Sequence, residues 1–90
     1  MAVQAETQQP EANITCQVYN QDLAILVGLH YEGFTDIKKL QDALENSPLN
    51  VTGKILYRQM LKDVFSATRP TTDEEAIILF KSLAVECATQ

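Results

Sequence analysis

The 90-residue chain has a net charge of -5, with 46% apolar and 21% charged residues. This describes one foldable domain with a small core. The acidity opposes non-specific binding to phosphate backbones and membrane surfaces.

The first segment, MAVQAETQQPEAN, has neither the basic start nor the apolar centre of a secretory signal, and no later apolar run reaches the roughly 18 residues that suggest a membrane span. A cytoplasmic protein with no membrane partner is the expectation. Residues 1–12 carry no apolar periodicity and read as a flexible tail; residues 13–90 read as a single helical domain.

Ile14, Cys16 and Val18 alternate with Thr15 and Gln17, a strand-like pattern, and leave residues 14–19 open between strand and helix. From Leu23 to Leu29 the chain is almost continuously apolar. A helix from Asn20 to His30 is expected, with Asn20 as its cap and Gly33 at its exit. With Leu23, Ile25, Leu26 and Val27 crowded together, it should be a central helix or part of a dimer interface.

Thr35 is the expected cap of a second helix, with Ile37, Leu40, Ala43 and Leu44 on one face. Pro48 disfavours helical geometry at Ser47, so that helix should end near Asn46. A third helix is expected from Asn50 or Thr52 to Phe65, where Leu56, Tyr57, Met60, Leu61, Val64 and Phe65 form a wide apolar arc. Pro70 breaks the pattern. Thr71 with Glu74, or Thr72 with Glu75, then offers a capping box for a fourth helix reaching about Cys87. Ala76, Phe80, Leu83, Ala84 and Cys87 share one of its faces. Ile77, Ile78, Leu79 and Val85 widen the apolar surface and are the candidate dimer interface.

Little in this pattern suggests catalysis. His30 is the sole histidine and has no second ligand at metal spacing. Asp73, Glu74 and Glu75 suit the positive end of a helix without acid–base chemistry. Cys16 and Cys87 lie far apart with no CxxC pairing; free thiols packed as small apolar groups are expected, with a disulfide as the lesser alternative. No metal or cofactor is expected. Lys54, Arg58 and Lys62 recur every four residues and form a basic stripe, a candidate surface for an acidic partner or for DNA phosphates. Nucleic acid ranks below protein as the partner, because three charges release few counterions and the rest of the chain is acidic.

Thr35-x-Ile37-x-x-Leu40, Leu44-Glu45-x-Ser47 and Tyr57-Arg58-Gln59-x-Leu61-x-x-Val64 carry a resemblance to the small enterobacterial biofilm and acid-stress regulators, the YmgB/AriR and Bdm family, over residues 23–65. The resemblance implies an all-helical, dimeric, non-enzymatic protein in stress or biofilm regulation, with DNA binding proposed for some members. The helix after Pro70 exceeds that pattern. The expectation is an all-α bundle of three to four helices, homodimeric, acting through protein–protein contacts. Its rivals are a helical adaptor or immunity-type protein that masks a partner, and a weak DNA-associated regulator.

Overall fold

Four segments combine apolar spacing with a side chain able to cap their first turn, and each is a helix. In the computed structural model, which describes residues 15–87, they are α1 (Cys16–Tyr31), α2 (Ile37–Glu45), α3 (Val51–Ser66) and α4 (Asp73–Leu83). No strand occurs among the described residues. The tail expected over residues 1–12 lies outside them.

The choice left open between strand and helix over residues 14–19 falls to helix from Cys16 onward, and the expected start near Asn20 is corrected. Thr15 caps α1, its hydroxyl accepting from the Val18 backbone N–H at 3.2 Å, so the helix begins one turn earlier than Asn20. Gly33 does end this helix. It sits at φ +91°, with Gly33 N–H donating to the His30 carbonyl and Phe34 N–H to the Leu29 carbonyl, which together make a Schellman closure. The Arg69 guanidinium covers what remains, donating to the carbonyls of His30 and Tyr31.

Asp36, rather than Thr35, caps α2 by accepting from Lys39 N–H. The helix stops at Glu45, with Asn46 as its C-cap, as Pro48 requires. Asn50 caps α3, its side-chain oxygen accepting from Gly53 N–H at 2.7 Å. Thr72 caps α4 through Glu75 N–H, while the Glu75 carboxylate accepts from both the N–H and the hydroxyl of Thr71. The reciprocal pattern of a capping box is thus spread over two threonines.

The core is small. Leu23 and Val27 from α1 meet Met60 and Val64 from α3, and Tyr19, Leu26, Phe65, Leu79 and Phe80 are among the half-buried side chains packed around them. α1 packs on both α3 and α4, whereas α2 packs on α3 alone. α3 is thus the helix that touches all three others, and most of the crowded apolar residues of α1 are used internally against α3 and α4. Only Ile25 of Leu23, Ile25, Leu26 and Val27 is exposed.

Two expectations for the C-terminal part are overturned. α4 ends at Leu83 rather than near Cys87, and Cys87 is not on its face. Cys16 and Cys87 are not free thiols; they form a disulfide whose Cα atoms are 5.6 Å apart. Asn20 reinforces the closure. Its side chain donates to the Val85 carbonyl at 2.8 Å and accepts from the Val85 N–H at 3.0 Å. A continued helix would carry residues 84–87 away from α1; the extended Ala84 (ψ 146°) turns them back to it.

Candidate partner-binding surfaces

Because α2 touches α3 and not α1, a cleft stays open between α1 and α2 with α3 as its floor. Its volume is about 270 Å³. Ile25 and Leu26 form one wall, Leu40, Ala43 and Leu44 the other, and Tyr57 and Leu61 lie beneath. Leu49, just after Pro48, closes one side. The polar side chains at the rim are Asp22 and Ser47. Asp22 accepts a hydrogen bond from the Tyr57 hydroxyl, and Ser47 donates to the Leu44 carbonyl at 2.6 Å. Burial, then the Asp22 hydrogen bond and charge, push the Tyr57 hydroxyl well above its ordinary pKa.

An apolar cleft of this size fits one or two hydrophobic side chains of a docking segment. Ile25, 60% exposed at its edge, is apolar surface open to water. The sequence contained a signal for this: α1 has more apolar positions than one core-facing stripe can use. It did not contain the gap between α1 and α2, which depends on how the helices are placed.

The basic stripe has a different setting. Arg58 makes a two-pronged bond to the Glu45 carboxylate, Nε to Oε2 at 2.6 Å and Nη2 to Oε1 at 2.9 Å. Lys54 donates to the Glu45 carbonyl at 3.0 Å, where α2 ends. Two of the three cations therefore hold the α2–α3 connection. Lys62 is exposed, and its side chain has no hydrogen-bond or ion-pair partner among the described residues. The hydrogen bond from Arg58 holds the Glu45 carboxyl below its ordinary 4.5.

Glu75 is likewise held below 4.5, by the Thr71 backbone N–H first and its hydroxyl second. A folded-state pKa below the unfolded one gives stability that is present above pH 4.5 and lost as pH falls through the folded value. Both groups are exposed, so the effect should be small. Acid titration of unfolding stability is expected to show a loss beginning near pH 4.5 that Glu45→Gln diminishes. Parallel profiles for the two proteins would remove Glu45 from this explanation.

The candidate dimer residues separate. Ile77 and Ile78 point outward from α4, 52% and 66% exposed. Leu79 does not join them: it falls with Ala76, Phe80 and Leu83 on the opposite face and packs against the core, so its place in the interface is withdrawn. Val85 is exposed, but it lies beyond the helix, clamped by Asn20 and beside Leu56. Leu56 itself is more exposed than the apolar arc implied.

His30 is structural here. Its Nε2 donates to the Ala67 carbonyl at 2.8 Å, and its ring meets Phe65 edge-on at 5.1 Å. Tyr31 donates to Asp73 at 2.6 Å, linking the end of α1 to the start of α4. Among the described residues there is no group of three or more His, Cys, Asp and Glu side chains that could hold a metal, and no helix is long and apolar enough to cross a membrane. The chain matches no family model, and neither a curated protein nor a solved structure matches it.

Proposed function

We propose that this chain is a small non-enzymatic regulatory protein that works through protein–protein contacts, receiving an apolar anchor of its target in the α1–α2–α3 groove. The observation that carries this reading is the groove itself: an open, mainly apolar cleft with Ile25 exposed at its edge. The net charge of -5 and the Asp22 carboxylate at the rim favour an amphipathic helix with basic residues beside its apolar anchors. The resemblance over residues 23–65 supports a role in stress or biofilm signalling. Exposed Ile77 and Ile78 favour a homodimer.

The adaptor or immunity-type reading shares this groove and differs in consequence, since the bound target would be silenced rather than signalled to. The DNA-associated reading loses support because Glu45 engages both Lys54 and Arg58. The disulfide favours an oxidising compartment over the cytoplasm suggested by the N-terminal sequence.

Affinity capture from the native host tests the groove. Ile25→Asp places a charge at its edge without touching the core, so the fold should persist while capture of the specific target falls ~10-fold or more. Equal capture by the variant and the wild-type chain would move docking to another surface.

A further inference from the structure

We propose that the outer face of α4 is a self-complementary seam, on which two copies of this chain pair antiparallel about a two-fold axis passing between Ile77 and Ile78. This rests on the reading of the chain as a contact protein, but the occupant is a second copy rather than a foreign target.

The helix has two distinct faces. Ala76, Leu79, Phe80 and Leu83 pack inward on the core. Glu74, Ile77, Ile78 and Lys81 are all exposed, and their three- and four-residue spacing places them on one outward stripe. Read in order, that stripe is acid, isoleucine, isoleucine, base. Reversing its direction exchanges the charges and leaves the isoleucines in the middle. An antiparallel pair that sets Ile77 of one copy against Ile78 of the other therefore sets Glu74 against Lys81 at both ends. A parallel pair would set Glu74 beside Glu74 and Lys81 beside Lys81.

The neighbouring acids do not disturb this arrangement. Asp73 accepts from Tyr31, and Glu75 is held by Thr71. Glu74 and Lys81 bond to no other side chain among the described residues, so both are available to a second copy. Opposed helix dipoles favour the same direction. The occupant follows from symmetry and charge: an isologous two-fold contact needs one patch complementary to itself, and this stripe meets that condition. The 11-residue helix is about 16 Å long, so the seam is small and the dimer is weak and concentration-dependent.

Sedimentation equilibrium of the purified, oxidised full chain, from micromolar to millimolar concentration at low salt, provides the test. The wild-type chain should dimerise. Glu74→Lys and Lys81→Glu, each alone, turn both end contacts into like-charge pairs and should weaken dimerisation about 10-fold. Combining the two should restore it. That recovery cannot come from a more stable helix, since the double exchange opposes the helix dipole at both ends. Ile78→Glu should leave a monomer, with circular dichroism confirming that the helices remain.

A wild-type chain that stays monomeric throughout would overturn the seam. So would a dimer indifferent to the single reversals, or a double variant no better than the singles. None of these outcomes bears on the groove, whose own test reads capture of a foreign target.

Discussion

Replacing both cysteines, Cys16→Ser with Cys87→Ser, is expected to lower the unfolding free energy by about 2–5 kcal/mol. The two residues are 71 apart in sequence, so their bond closes nearly the whole described chain into one loop. A long closed loop removes more freedom from the unfolded chain than a short one. A small domain has a shallow core and depends correspondingly on such a staple. In the folded chain the Asn20 clamp on Val85 also holds residues 84–87 beside α1. Urea unfolding of the wild-type chain with and without reductant should reproduce the difference seen in the double variant. A shift under about 0.5 kcal/mol, the range of ordinary surface changes, would mean that the bond does not constrain the chain as described.

Leu23→Ala is expected to cost about 2–5 kcal/mol, with the result near the upper end. Leu23 is 1% exposed and belongs to the cluster of Val27, Met60 and Val64. Truncation removes buried methyl groups and leaves a cavity that fixed helices can close only in part. Leu61, 5% exposed, should be less costly because it lies partly under the open groove, whose walls have room to relax. Denaturant unfolding of the two variants side by side would check the order. A loss for Leu23→Ala under about 0.5 kcal/mol would place α1 outside the core.

Much of the fold was legible because local signals and tertiary packing agree. Ile37, Leu40 and Leu44 recur at helical spacing, Asn50 caps α3, and Pro48 and Pro70 separate the helices where backbone geometry requires it. The start of α1 was hidden because Cys16 and Val18 flanking Gln17 imitate a strand over a very short window, while Thr15 is an ordinary helix cap. The end of α4 was hidden for a different reason. Ala84 and Cys87 continue the apolar spacing, yet the chain leaves the helix at Ala84 because the disulfide and Asn20 draw it back to α1. Sequence spacing does not encode a contact between residues 16 and 87.

The surfaces were legible to a lesser degree. Ile77 and Ile78 stood out as surplus to one apolar stripe and are exposed. Leu79 stood beside them in sequence, but the helical turn carries it to the core. Lys54, Arg58 and Lys62 align on one helix, but Glu45, at the end of a different helix, engages the first two. The groove required knowing that α2 rests on α3 and stands clear of α1.

Amide hydrogen exchange tests the docking groove most directly. Exchange would be recorded on the oxidised chain alone and in complex with the protein it captures from its native host. If the groove receives the target, protection should rise around Ile25 and Leu26, from Leu40 to Leu44, and from Tyr57 to Leu61, and Ile25→Asp should abolish that rise. Protection gained only along α4 or residues 84–87, with the α1–α2–α3 cleft exchanging as in the free chain, would contradict it.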